Sequence, residues 1–251
     1  PCNSVSIAIG SSALSANTGS YNIALGWSAM SSSNSGNYNI AIGTNALVGS
    51  GYGMGSSNVA IGTSALFANT FGSSNVGIGP AALSCNCFGG YNVAIGDNAA
   101  ALNTNGNYNV AIGESTLYNN KTGNCNIAIG YAALINTLAD CSIAVGSSAL
   151  YNNTTGVNNI AIGFNAGCSI TTGSNNVIIG SYTATAALSS TVLIQAGTCQ
   201  RLKVDDTGLS INGTPFSVSP ATTATLGTVF GYTSSTCYNS ALGYWSGNTT
   251  M

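Results

Sequence analysis

Catalytic side chains are scarce in this sequence. It contains no histidine and five carboxylates among 251 residues. Acid–base catalysis needs a titratable side chain within hydrogen-bond reach of the substrate, most often a histidine or a carboxyl group. Asp205 and Asp206 are adjacent, so on a strand they point to opposite faces and cannot act as a facing pair. We expect them to form ion pairs with Arg201 or Lys203, and we predict that the protein is not an enzyme.

The other three carboxylates, Asp97, Glu114 and Asp140, are far apart in the sequence. Glycosidic cleavage uses two carboxyl groups, which here would have to be brought together between chains. A polysaccharide depolymerase is therefore an alternative hypothesis. Loss of glycan cleavage on mutation of these residues would support it, and we expect no cleavage to begin with.

Eight cysteines are scattered along the chain. Cys125 and Cys141 each stand two residues before a copy of the phrase Ile-Ala-Ile/Val-Gly, which would place them one coil apart. A disulfide and two small apolar thiols are both open interpretations of this pair. Cys85 and Cys87 are close in sequence, but a metal site would need further ligands. We predict no metal and no cofactor.

Charge is sparse, at 3% of residues, with a net charge of −2. Lys121, Arg201 and Lys203 are too few to follow a phosphate backbone, so we expect no nucleic-acid partner. No apolar run reaches about 18 residues, so we expect no membrane insertion. A surface of Ser, Thr, Asn and Gly suits an extracellular or virion-surface location. The first residue is not Met, and we expect a piece of a longer chain.

The elements that carry these residues are repeats. The phrase Asn-Ile/Val-Ala-Ile-Gly returns at intervals of 16 to 19 residues. A regular period of this kind predicts a solenoid of stacked coils. The glycine of the phrase falls at Gly10, Gly26, Gly43, Gly62, Gly79, Gly96, Gly113, Gly130, Gly146, Gly163 and Gly180.

Each phrase has the features of a short strand, because it is β-branched, alternates in character and ends at a glycine. In one copy, Ile40 and Ile42 point to one face and Ala41 to the other. We predict that the isoleucines stack from coil to coil, with the following Ala-Leu pair folded over them. Coils spaced by about 4.8 Å would make an array about 50 Å long.

An asparagine precedes nearly every strand. Stacked asparagines form side-chain amide ladders that fix the register. We predict such a ladder from Asn22, Asn39, Asn58, Asn75, Asn92, Asn109, Asn126, Asn159 and Asn176.

The second strand face carries a stripe of very small residues. We predict that this stripe packs on neighbouring copies around a threefold axis, giving a homotrimer. The alternative is that it faces the second strand of its own coil. The stripe consists of Ala24, Ala41, Ala60, Gly77, Ala94, Ala111, Ala128, Ala144 and Ala161.

The repeated phrase resembles the head repeat of trimeric autotransporter adhesins, a left-handed parallel β-roll that trimerises. With connectors such as Thr172-Gly173-Ser174-Asn175-Asn176, it also resembles the repeats of phage and large-virus tail fibres. The resemblance covers residues 3–183. It implies an all-β parallel β-roll of about 17-residue coils, assembled as a homotrimer.

Three segments follow from these patterns. Residues 1–183 form the β-roll array, 184–226 a non-repeat hairpin and linker segment, and 227–251 the start of a second repeat-like segment. Within the middle segment we predict a strand over 191–195. We predict a hairpin over 201–211 that turns at Asp206-Thr207-Gly208.

Exposed aromatic side chains are our candidates for contact with a glycan or a protein receptor. Trp27, Tyr131 and Phe164 follow a repeat glycine, at a position that varies in type. Tyr52 and Met54 lie in the longest interval, which we interpret as a projecting loop. Covering of neighbouring coils, lining of a subunit interface and a tolerated surface loop are the competing interpretations.

The sequence thus predicts a structural and adhesive fibre segment of a virus particle, of the phage tail-fibre type. Its role would be to space or present host-surface binding. The alternatives are the head of a bacterial trimeric surface adhesin and a subunit of a self-assembling extracellular filament.

Overall fold

The computed structural model describes residues 5–32, 35–49, 53, 55–197, 199–206, 208–211 and 214–216. The predicted second repeat-like segment, 227–251, lies outside the described residues, as do Tyr52 and Met54. The described residues form β-strands and turns and contain no helix. An all-β fold is therefore confirmed.

The strands form one sheet in chain order. We number each coil after the strand that it contains. The strands are β1 (Ile7–Ile9), β2 (Ile23–Leu25), β3 (Ile40–Ile42), β4 (Val59–Ile61), β5 (Val76–Ile78), β6 (Val93–Ile95), β7 (Val110–Ile112), β8 (Ile127–Ile129), β9 (Ile143–Val145), β10 (Ile160–Ile162), β11 (Val177–Ile179), β12 (Val192–Ala196), β13 (Cys199–Asp205), β14 (Gly208–Ile211) and β15 (Thr214–Phe216).

Strands β1 to β12 stack in parallel and in register, so that each repeat residue lies beside its counterpart in the next coil. The Ile40 N–H, for example, donates to the Asn58 carbonyl at 2.8 Å. The predicted parallel β-solenoid of about 17-residue coils is confirmed. Parallel pairing runs past residue 183 to Ile194, and the hairpins β13 to β15 then continue the sheet antiparallel.

The turn after each strand requires glycine. At Gly113, φ is 127°, and a Cβ built there would lie 2.8 Å from the Gly130 carbonyl oxygen of the next coil. A real Cβ does not approach another atom so closely, and only glycine adopts this φ readily. The repeat glycine therefore sets both the sharp turn and the close stacking of coils.

The core is a narrow channel filled by alanine and leucine. Leu47 and Leu66 are fully buried although their φ is 50°, in the left-handed region. That conformation costs about 1–2 kcal/mol per residue. Burial of a leucine side chain returns about 1.5–3 kcal/mol. The Leu47 N–H also donates to the Ala65 carbonyl at 2.9 Å.

The predicted directions of the two strand faces are wrong. The small stripe, Ala24, Ala41, Ala60, Gly77, Ala94, Ala111, Ala128, Ala144 and Ala161, points into the channel, and its alanines are fully buried within the chain. The isoleucines and valines point outward. A Cβ built at Gly77 would lie 3.3 Å from the Leu66 side chain, so nothing larger than alanine fits there. The stripe has no surface to offer another copy, and the alternative, that it faces its own coil, is what the structure shows.

The asparagine ladder is present in the structure. Each member is buried, and the N–H of Asn58 donates to the Asn39 Oδ1 at 2.8 Å. The Asn58 amide donates to the same oxygen at 3.2 Å and to the Gly72 carbonyl at 2.9 Å. These bonds satisfy polar groups inside the channel and hold successive coils in register.

Sequence reasoning missed a second buried ladder in the connectors. The Asn86 amide donates to the Asn69 Oδ1 at 2.8 Å, and the Asn103 amide donates to the Asn86 Oδ1 at 2.7 Å. Each amide also bonds a glycine carbonyl in its own coil, as Asn86 does with Gly89. Asparagines recur at the repeat interval in these connectors, and this spacing could have predicted the second ladder. The members are Asn69, Asn86, Asn103, Asn120 and Asn153.

Candidate association face and polar groove

The outward side chains of the strands form one continuous apolar surface, which we call the outer face. It consists of the first and third residues of every strand from β2 to β11, two columns of Ile, Val and Leu. These side chains are half-buried or exposed; Ile95 and Ile129, for instance, are 36% and 37% exposed. A solvent-facing sheet surface is normally polar, so an apolar one indicates a covered surface.

The size of the outer face is that of a protein interface. Ten rungs spaced by about 4.8 Å, and three residues rising about 3.3 Å each, give a strip of roughly 50 by 10 Å. The strip therefore covers about 500 Å² per copy, or about 1,000 Å² for a pair, which is the lower bound for a specific interface. Neither strand column contains a charged residue.

Stacked tyrosines flank one side of the outer face. The Tyr21 and Tyr38 rings lie 5.1 Å apart with planes 2° from parallel, and Tyr91 and Tyr108 lie 5.0 Å apart at 6°. Each ring covers one face of its neighbour. The tyrosines therefore extend the apolar surface and offer a sugar less open ring surface than isolated tyrosines would.

Three of the predicted contact residues lie on the other side of the outer face. Trp27, Tyr131 and Phe164 are each more than half exposed. They belong to coils 2, 8 and 10, so Trp27 lies about 30 Å along the stack from Tyr131. The structure does not bring them together into one site.

A polar groove lies on the connector side of the coils. Its volume is about 440 Å³. Lys121, the sole basic residue between positions 1 and 183, lies in it. The Asn119 amide donates to the Asn136 Oδ1 at 3.0 Å, so the groove is lined by an ordered row of amides. The lining residues are Asn119, Lys121, Asn136, Leu138, Asn152, Thr154 and Thr171.

The charged side chains in the described part of the chain make local contacts. Lys203 forms an ion pair with Asp205, as the hairpin pattern suggested. Asp97 accepts a hydrogen bond from the Asn98 amide at 2.8 Å. No three His, Cys, Asp or Glu side chains among the described residues are grouped to hold a metal ion.

No protein-family model, curated protein or solved structure matches this chain. No helix long and apolar enough to cross a membrane occurs within the described ranges. What the chain does must therefore be inferred from its own surfaces.

Proposed function

We propose that this chain is a structural segment of an extracellular or virion-surface fibre, whose copies associate side by side through the outer face. The single observation that carries the proposal is the apolar outer face, which runs the length of the solenoid. The resemblance to trimeric adhesin heads and viral fibre repeats implies three copies around a common axis.

A second copy of the chain is the partner that best fits the outer face. Both surfaces would repeat every rung, about 4.8 Å, so the side chains of two copies can interlock along their whole length. The two strand columns carry no charged residue, so charge repulsion does not arise between them. Burial of about 500 Å² per copy reaches the lower bound for a specific interface.

A rigid roll of this kind suits a spacer. Every coil from β1 to β11 is bonded to the next through its strand and turns, and the asparagine ladders add buried bonds between many of the coils. We propose that the assembled segment holds host-binding parts at a distance, and that the polar groove contacts surface glycans. Amides and hydroxyls that line an open groove provide the hydrogen-bonding groups with which proteins bind sugars.

Charge placed on the outer face tests the proposal. We expect Ile95→Lys with Ile129→Lys to convert a trimer into monomers in sedimentation velocity, since lysines facing one another across an interface repel and lose water. Phe88→Lys with Leu138→Lys is the matched control, because both residues are exposed but lie elsewhere. An unchanged mass in the outer-face variant, with the roll still folded by circular dichroism, would refute the proposal.

A filament of rolls joined end to end is the second candidate. Within the described part of the chain, β1 has a strand partner on one side only, and such an edge can pair with another chain. An open-ended series of masses in the same sedimentation experiment would favour this candidate over a closed trimer.

A further inference from the structure

Two exposed cysteines occupy the same place in successive coils. Cys125 stands two residues before Ile127 and Cys141 two residues before Ile143, and these isoleucines pair in register. Both cysteines have the same left-handed backbone, with φ of 57° and 58°. The Cys141 N–H donates to the Asn124 carbonyl at 2.9 Å. The two residues are therefore direct neighbours across one rung.

Side chains at this position, two residues before each strand, point in the same direction from one coil to the next. Tyr91 and Tyr108 occupy the same column, two residues before β6 and β7, and their rings stack within 6° of parallel. Cys125 follows Tyr108 in this column, and Cys141 follows Cys125. The two thiols therefore project side by side.

The separation fits a disulfide. Residues paired across parallel strands are about 4.8 Å apart, inside the 4.4–6.8 Å range of Cα separations in disulfides. Both cysteines are exposed, so a small reagent can reach them. Cys85, Cys87 and Cys168 are half-buried, and none has a cysteine at the same place in an adjoining coil.

We propose that Cys125 and Cys141 are an oxidative modification site that closes to an intrachain disulfide by exchange with a small-molecule disulfide. One cysteine thiolate attacks a sulfur of the small disulfide and releases one thiolate. The second cysteine thiolate then attacks the mixed disulfide, forms the Cys125–Cys141 bond and releases the other. Two cysteine thiols are oxidised, and one small disulfide is reduced to two thiols.

The bond would clamp a rung at which both internal ladders change residue type. Ser142 replaces an asparagine of the first ladder, and its Oγ accepts the Asn159 N–H at 3.3 Å, longer than the usual 2.8–3.1 Å. Thr137 takes the place of an asparagine in the second ladder, and the Asn153 amide donates to its Oγ1 at 3.4 Å. Cys141 is adjacent to Ser142, so the disulfide would add a covalent bond beside the substituted position of the first ladder.

The test is oxidation of the reduced protein with oxidised glutathione, followed by blocking of free thiols and peptide mapping. We expect a peptide that links Cys125 to Cys141 within one chain, in the wild type and in the Cys168→Ser control. Cys125→Ser and Cys141→Ser should lose it. A stable glutathione adduct without the link, a link between chains, or a bond to any other cysteine would overturn the proposal.

Thermal unfolding provides the second measurement. The oxidised wild type should unfold at a higher temperature than its reduced form, because the cross-link restricts the unfolded chain. Cys141→Ser should show no difference between the two buffers. An oxidised protein that carries the link but gains no stability would overturn the assignment of the bond as a clamp.

Discussion

Single residues fix the pitch of this solenoid, and the glycine after each strand is the most constrained of them. Its φ excludes other residues, and its Cα faces the carbonyl of the next coil at a distance that leaves no room for a methyl group. The buried asparagines add a second constraint, because each connects two coils and satisfies a carbonyl in a turn.

Gly113→Ala should destabilise the protein by roughly 3 kcal/mol or more, since backbone strain of about 1–3 kcal/mol adds to a clash with Gly130. Gly208→Ala is the control, because its φ of 117° gives similar strain while nothing lies within 4 Å of the new Cβ. Urea unfolding compares the two. Equal costs would show that the close stacking of coils does not restrict this position.

Asn92→Ala should cost about 2–3 kcal/mol, because it removes a buried amide whose loss leaves a backbone N–H and a backbone carbonyl unpaired. The Asn92 side chain accepts the Asn109 N–H at 2.9 Å and donates to the Gly106 carbonyl at 2.8 Å. Asn119→Ala, in the half-exposed row of the groove, should stay within about 0.5 kcal/mol. A similar cost for both, measured in urea, would contradict the structural role of the buried ladder.

Reactivity at Cys141 should rise with pH. Local desolvation, the Cys125 thiol and the Asp140 carboxylate raise the pKa of the Cys141 thiol, so less of the nucleophilic thiolate is present at neutral pH. Asp140→Asn removes one of these causes while keeping an oxygen for the Asn124 N–H. Its alkylation at Cys141, followed by mass spectrometry, should be faster at neutral pH than in the wild type. The distant Asp97→Asn should leave the rate unchanged, and a slower Asp140→Asn would contradict this account.

At the scale of the element, each coil consists of one short strand followed by turns that contain left-handed residues. The strand and turns surround a narrow channel whose width is filled by one leucine side chain. Variation in one coil shows how tightly this channel is filled. Gly167 stands where most other coils have leucine, and Ile170 and Ile178 replace the usual asparagine and alanine. The ends of both isoleucine side chains lie 3.2 Å from a Cβ built at Gly167, so they fill the space that the leucine leaves.

Much of the coil could be predicted from sequence. The regular spacing of glycines predicted the period of the coils. The β-branched triplets predicted strands, and the structure has strands at the same residues. The inward face could not be assigned correctly, because alternation separates two faces without saying which one is enclosed. That depends on the left-handed Leu66 and its counterparts, which fill the channel from the opposite side. Hydrophobicity alone favours the isoleucines and valines of each strand as the core, whereas the structure encloses the smaller alanines.

Ala94→Val tests the inward assignment. Ala94 is fully buried in the channel, so two added methyl groups should cost about 1–3 kcal/mol. Thr63→Val is the control, since Thr63 is exposed and the change keeps its shape. Thermal unfolding of both variants is the measurement. A neutral Ala94→Val would mean that the channel has room and that the small stripe faces elsewhere.

At the scale of the whole molecule, the roll is a rod with one unpartnered apolar side. Its other surfaces carry many hydroxyls and amides and few charges. The hairpins β13 to β15 continue the sheet at one end with antiparallel strands that do not repeat the coil. The features that indicate assembly are therefore concentrated on the outer face.

The native mass of the unaltered chain, measured by light scattering over a dilution series in reducing buffer, tests side-by-side association most directly. We predict three copies at every concentration at which the roll is folded. A single copy at all concentrations would contradict association through the outer face.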